Sequence, residues 1–298
     1  MFIGVDIGGT KTSVSVGNDS GTIIEKSVFG TDPSLQHALQ NICESIEHLV
    51  LKYGKEFIRG IGIACGGPLD ARNGIVLSPP NLPSWSNVRI VDILQKRFDI
   101  PTFIENDANA CVLAEWYYGN GKGCNNLIFL TFGTGLGAGM ILNGELYQGT
   151  IGLSGEIGHV RIAEDGPDSY GKRGSLEGYC SGGGISLLYR QHFGETLTTE
   201  QICKLARRGE GAALKIVKDS AAMLGRGVSI LIDLINPEKI IIGSVYTKNE
   251  DLFREEMMAV VTRESLRQSA ACCEIVISGL ADSLGDVAAV SVAVNKSR

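Results

Sequence analysis

The chain lacks any apolar run approaching the ~20 residues of a membrane-spanning helix. Its first strand-like stretch, Phe2–Ile7, follows Met1 without a basic or apolar leader region. No membrane span and no secretory leader are expected, and the cytoplasm is the expected compartment. There is no excess of basic charge: 27 Lys and Arg against 33 Asp and Glu leave a net charge of -6. Such a balance offers no electrostatic footprint for nucleic acid or an anionic membrane surface. None of the eight cysteines forms a C-x-x-C pair, and the adjacent Cys272 and Cys273 are poorly spaced for a disulfide. Reduced, mostly buried thiols are expected. The G-x-x-x-x-G-K-[ST] spacing of a Walker loop is also missing. What these absences leave as partner is a small molecule.

What is present is a chain of 298 residues, long enough for two domains, with 44% hydrophobic residues, 20% charged residues and 39 glycines. Alternation in residues 2–16, broken at Gly8-Gly9, and a turn at Asn18-Asp19-Ser20-Gly21 predict a β-meander. Leu39, Ile42, Ile46, Leu49 and Val50 recur at helical spacing and predict a helix over about 34–53. A buried strand at 60–64, a Gly/Pro-rich crossing through Pro79-Pro80-Asn81, a helix near 91–98, a strand at 101–105 and a helix after Asp107 complete the first half. The second half opens the same way, with a strand at 127–132, Gly133-Thr134-Gly135, a second strand, and Asn143-Gly144 as a hairpin turn. Thr131 stands two residues before Gly133 as Asp6 stands two before Gly8, which suggests an internal duplication facing one central cleft. A long helix over about 211–234, a buried strand at 239–242 and an apolar helix at 286–294 close the chain. Gly119, Gly121 and Gly123 set the expected boundary between domains 1–120 and 121–284, with the last helix, about 285–298, returning to the first.

Three motifs carry chemistry. Asp6-Ile7-Gly8-Gly9-Thr10-Lys11 ends a strand with a carboxylate and exposes amides that can approach phosphate, and Asp6 can orient Mg²⁺ through its waters. Gly133-Thr134-Gly135-Leu136-Gly137 repeats that turn. Glu105-Asn106-Asp107 brings Asn106 and Asp107 from a strand into a helix start, where Asp107 is expected as the N-cap and as an ionised carboxylate able to take a proton from a hydroxyl. Glu156, His159, Glu177, Asn81 and Asn106 form a chemically sensible set for the vicinal hydroxyls of a sugar. The ordinary alternatives are a hairpin with an exposed Asp, a helix cap, and a structural His.

Together with Gly155-Glu156-Ile157-Gly158-His159, and in their order along the chain, these motifs resemble the ROK family of repressors, open reading frames and sugar kinases, from Met1 to about Ala293. The resemblance implies an α/β, actin-like kinase of two ribonuclease-H-like domains closing over ATP and a hexose, with Mg²⁺, as a homodimer. It implies Asp107 as the general base for a sugar hydroxyl, usually that on C6. It implies Asn81, Asn106, Asp107, Glu156, His159 and Glu177 as sugar contacts. Gly8, Thr10, Lys11, Thr134 and Gly135 fall on positions facing the phosphates, with Asp6, Gly9 and Gly243 completing the nucleotide side.

The chain departs from the family in two places. The family commonly carries C-x-C-G-x-x-G-C-x-E after its G-H, for a structural zinc. Here Asp168, Tyr170 and Ser175 replace the three cysteines while Gly171, Gly174 and Glu177 remain, so no structural zinc is expected and His159 is left to the sugar. The second departure is Gly243-Ser244-Val245 in place of a glycine triplet near the adenosine, where Val245 is expected to resist positive φ. A sugar-responsive regulator is the alternative reading, but such proteins carry a helix-turn-helix ahead of the first strand and this chain starts at Met1-Phe2-Ile3. A sugar-binding pseudokinase is a third reading.

Overall fold

A computed structural model of the chain describes residues 1–298. It begins with strands β1 (Phe2–Ile7), β2 (Lys11–Gly17) and β3 (Ile23–Gly30), followed by helix α1 (Leu35–Tyr53) and strand β4 (Ile61–Cys65). A small ribbon of β5 (Leu69–Asp70) and β6 (Ile75–Val76) precedes helix α2 (Ile90–Phe98), strand β7 (Thr102–Asn106) and helix α3 (Asp107–Tyr118). Next come β8 (Leu127–Phe132), β9 (Leu136–Leu142), β10 (Glu145–Leu146) and a hairpin of β11 (Asp168–Ser169) and β12 (Lys172–Arg173). Helices α4 (Leu176–Tyr179), α5 (Gly182–Phe193), α6 (Thr199–Arg207) and α7 (Gly211–Ile235) follow. The chain ends with β13 (Lys239–Ile242), α8 (Val245–Glu264), α9 (Arg267–Cys272), β14 (Glu274–Ile277) and α10 (Leu284–Lys296).

Local chemistry accounts for the boundaries. The turn between β2 and β3 is built on Asn18, whose Oδ1 accepts from the Ser20 and Thr22 amides, with Gly21 at φ 80°. Helix α1 buries Ala38, Ile42, Ile46 and Leu49 along one face and ends at Gly54, at φ 85°. The β9–β10 hairpin turns at Asn143 and Gly144, both at positive φ, and α7 ends on Asn236 in the left-handed conformation just ahead of Pro237.

Two five-stranded sheets share one plan. Their orders are β3-β2-β1-β4-β7 and β10-β9-β8-β13-β14. In each, the first three strands of the run are antiparallel and the last two lie parallel to the first. This is the ribonuclease-H-like, actin-like arrangement, and the duplication hinted at by Asp6 and Thr131 is a duplication of topology. Two compact units contain these sheets: Met1–Lys122 with Gln148–Leu153 and Asp282–Arg298, and Gly123–Tyr147 with Ser154–Ala281. Each has its own apolar core, one on Ile3, Val5, Ile42, Ile63 and Trp85, the other on Ile128, Phe132, Leu224, Ile240 and Phe253. No helix is long and apolar enough to cross a membrane.

Helix α10 belongs to the first unit because two glycines make room for it. Gly4 and Gly62 are register neighbours on β1 and β4. A β-carbon on Gly62 would collide with the Ala289 carbonyl oxygen, and one on Gly4 would lie 2.9 Å from the Val290 amide nitrogen. The helix is buried from Val287 through Val294, which explains why its sequence is apolar all round. All eight cysteines are free; Cys43, Cys65, Cys180 and Cys203 are buried, and Cys272 is exposed.

Candidate active site

In the first unit the strand register brings the carboxylates to one edge. Asp6 pairs with Ala64, and Ala64 with Glu105, so the row ends where β7 passes Asn106 and Asp107 into α3. The carboxyl ends of parallel strands are where open α/β sheets place ligands. Asp6 has its carboxyl raised to about 6, by burial first and then by the negative charges of Asp286 and Asp107. Asp286, itself buried, accepts from Ser13 Oγ and from Lys26 Nζ, both at 2.8 Å. Lys26 thus answers Asp286, and the charge on Asp6 is opposed by its neighbours.

Asn106, not Asp107, is the N-cap of α3: its Oδ1 accepts from the Ala108 amide at 2.9 Å. Asp107 is the first helical residue, and its Oδ1 takes the same amide at 2.8 Å. The expectation that the helix start alone keeps Asp107 ionised is also corrected, because desolvation by the surrounding protein outweighs that amide and raises the carboxyl. Asp107 nevertheless remains accessible to solvent.

Behind this pair lies Glu105, 2% exposed, which the sequence places in the motif without assigning it a role. Its Oε1 accepts from the Asn106 amide at 3.1 Å and from Asn109 Nδ2 at 3.0 Å, and its Oε2 from Gln148 Nε2 at 2.5 Å. The carboxylate therefore ties the end of β7 to the first turn of α3 across Asp107. Gly66 and Gly67, also overlooked, follow β4 beside it; a β-carbon on Gly66 would lie 3.9 Å from Asp107 Oδ2, and one on Gly67 3.4 Å from Asn106 Nδ2. The signal available in sequence was a Gly-Gly pair closing an apolar strand.

The first glycine turn is closed by the Gly8 amide on the Lys11 carbonyl at 3.0 Å and by Thr31 Oγ1 on the Gly8 carbonyl at 2.6 Å. Gly9, Thr10 and Lys11 are exposed. Gly9 is required because a β-carbon there would lie 2.6 Å from that of Asn81, so the predicted sugar contact Asn81, itself exposed, sits against the predicted phosphate turn.

In the second unit, the Gly133 amide bonds the Gly135 carbonyl at 3.0 Å, leaving Thr134 exposed at the tip. Gly135 faces Glu177: a β-carbon there would lie 2.6 Å from Oε2, which accepts the Leu136 amide at 2.9 Å. Glu156 precedes the short turn Ile157–His159 and His159 ends it, and both are exposed. Gly155 and Gly158 let this loop lie against β9, since β-carbons there would strike the Ala138 and Leu136 carbonyl oxygens. The structure thus gathers Asp6, Gly8, Gly9, Thr10, Lys11, Asn81, Asn106 and Asp107 in one unit, and Thr134, Gly135, Glu156, His159, Glu177 and Gly243 in the other.

The adenosine-side departure moves by one residue. Val245 opens α8 and needs no positive φ; Ser244 takes it, at φ 55° and ψ -115°. Gly243 keeps its place because a β-carbon would lie 2.6 Å from the Phe129 ring. Ser244 is exposed, and its Oγ would lie 3.8 Å from a β-carbon placed on Gly133.

The residues standing where the family sets zinc thiolates do not fit the metal. Ser175 is buried and its hydroxyl caps α4 through the Gly178 amide. Asp168 Oδ1 accepts the Gly171 amide at 3.0 Å, and Tyr170 is 71% exposed. A hydroxyl, a phenol and one carboxylate beside one His do not make a tetrahedral thiolate site. Mg²⁺ is different: it keeps most of its waters and needs only an oxygen donor such as the Asp6 carboxylate to orient them, whereas Asp286 is already taken by Ser13 and Lys26.

The sequence profile of the ROK family matches residues 2–296. The chain is 32% identical to a glucokinase of Thermotoga maritima, over 98% of this chain and 96% of that protein. It is 31% identical to a xylose repressor of Caldicellulosiruptor bescii, over 94% of this chain and 75% of that protein. Among solved structures, a ROK family glucokinase from Streptomyces griseus in complex with glucose and AMPPNP superposes with a TM-score of 0.81 at 27% identity, covering 97% of each chain. With its two ribonuclease-H-like sheets and its motifs in order, the chain belongs to the ROK family.

Proposed function

We propose that this chain is an ATP-dependent hexose kinase that phosphorylates a hydroxyl, the 6-hydroxyl, of glucose or a related hexose or N-acetylhexosamine. The observation that carries the reading is Asp107: a solvent-accessible carboxylate at the carboxyl end of a parallel strand, braced by a buried Glu105 and adjoining Asp6. Likeness to the T. maritima glucokinase and to the glucose- and AMPPNP-bound S. griseus enzyme supports it.

Asp107 takes the proton of the sugar hydroxyl as that oxygen forms its bond to the γ-phosphorus and the bond to the β,γ-bridging oxygen breaks, releasing ADP. A carboxyl raised above the usual aspartate range is a better base for this step. Asn81, Asn106, Glu156, His159 and Glu177 supply acceptors and donors to the remaining hydroxyls. Gly8, Gly9, Thr10, Lys11, Thr134, Gly135 and Gly243 present amides and small surfaces to the nucleotide. Asp6 would hold Mg²⁺ through water, and the ion would supply charge neutralisation at the phosphates.

The test is ADP release from MgATP across glucose, mannose, allose, fructose, N-acetylglucosamine and N-acetylmannosamine, with ³¹P and ¹³C NMR of the product locating the phosphate. Turnover with a product phosphorylated on O6 is expected. Sugar binding by calorimetry without ADP release would instead favour a sugar-binding regulator or pseudokinase, the reading that likeness to a xylose repressor supports.

A further inference from the structure

The hairpin at 168–173 occupies the stretch where related chains fold around zinc, and its side chains reach the sugar-facing residues directly. Ser169 Oγ donates to Glu177 Oε1 at 2.5 Å. Three residues further on, Lys172 Nζ donates to the carbonyl oxygen of His159 at 2.8 Å. The hairpin is shaped to hold both donors. Tyr170 and Gly171 turn its tip with φ of 53° and 70°, and the Gly171 amide is tied to Asp168 Oδ1. Its base is fixed by the Ile162 and Ala163 amides on the Gly174 carbonyl, where a β-carbon would strike the Ala163 carbonyl oxygen. Arg173 adds an ion pair to Asp165 at 2.8 Å.

We propose that this hairpin is a metal-free clasp for the sugar-facing pair, with Ser169 as the positioning residue that fixes the carboxylate of Glu177. A carboxylate offers about four acceptor sites. On Glu177 the protein fills one with the Ser169 hydroxyl and one with the Leu136 amide, on opposite oxygens. This fixes the rotation of the carboxylate plane and leaves one acceptor site on each oxygen for hydroxyls of a sugar. Because Leu136 directly follows Gly135, the same carboxylate also joins the sugar side of this unit to its phosphate turn. Without the Ser169 hydroxyl, Oε1 loses its only donor from the hairpin and the carboxylate can swing about its last torsion. The assignment rests on the hexose-kinase reading of Glu177.

The experiment compares the wild-type chain, Ser169→Ala and Ser169→Thr, each before and after exhaustive dialysis against a zinc chelator. It reads sugar affinity by calorimetry, KM for sugar and for ATP, and melting temperature. The expected result is that Ser169→Ala weakens sugar binding and raises its KM roughly tenfold, the effect of losing one charge-assisted hydrogen bond. KM for ATP and melting temperature should move little, Ser169→Thr should restore sugar affinity, and the chelator should change nothing. Wild-type sugar affinity in Ser169→Ala, failure of Thr to rescue, or loss of affinity on chelation overturns the clasp while leaving the kinase standing. A wild-type chain that neither binds nor phosphorylates any sugar overturns both.

Discussion

Gly285 and Asp6 meet with no room for a methyl group, since a β-carbon at 285 would lie 2.5 Å from Asp6 Oδ2. Gly285→Ala is expected to displace the Asp6 carboxylate. Displacements of about 1 Å in an active site can cost on the order of 10²-fold. A fall of that order in kcat/KM for MgATP is expected, with sugar affinity measured by calorimetry unchanged. An unchanged kcat/KM for MgATP would mean that the position of Asp6 does not matter to the nucleotide.

Asp6 also makes stability depend on pH in a stated direction. Its carboxyl is raised from 3.8 to about 6 in the folded protein. Between those values the folded chain holds a proton that the unfolded chain has released, so stability falls as pH rises through that window. Asp6→Asn should therefore be the more stable protein above pH 6, by up to roughly 3 kcal/mol, with the gain vanishing below about pH 4. Urea denaturation of both proteins at a series of pH values measures this. A gain that grows toward acid would have the wrong sign.

Ser244 adopts a conformation suited to glycine, at φ 55° and ψ -115°. Holding an L-residue in such a region costs of order 1–3 kcal/mol, against which glycine loses roughly 0.5–1 kcal/mol in chain entropy. Ser244→Gly is expected to raise stability by about 1 kcal/mol, read as a shift in urea midpoint. A destabilised variant would mean that the serine side chain contributes more than its strain removes.

Much of this was legible in the sequence because it was periodic or local. Helix α7 announced itself by spacing and by Pro237 beyond its end, and β13 by an unbroken apolar run flanked by Lys239. Asp107 stood out because an Asn-Asp pair closed a strand, but the sequence did not reveal that Asn106 would make the cap. Nor did it reveal that desolvation by neighbouring protein would oppose the helix start in setting the Asp107 carboxyl. Ser244, not Val245, took the positive φ because a turn's sequence leaves open which residue bears the strain. The Glu105–Gln148 bond spans 43 residues, and the 168–173 hairpin has two-residue strands that carry no periodicity. Asp286, buried at the start of an apolar helix, was a readable anomaly, though its partners Ser13 and Lys26 lie 273 and 260 residues away in sequence.

If Asp107 takes the proton from the acceptor sugar, Asp107→Asn removes the base from the chemical step and leaves a side chain of the same shape. The comparison is single-turnover phosphorylation of the best sugar by the variant and the wild type, with sugar affinity measured alongside by calorimetry. Removing a general base from a step it serves costs typically 10²–10⁴-fold. A chemical step slowed by ~10² or more, with sugar affinity near wild type, is expected. A variant that phosphorylates the sugar at close to the wild-type rate would contradict it.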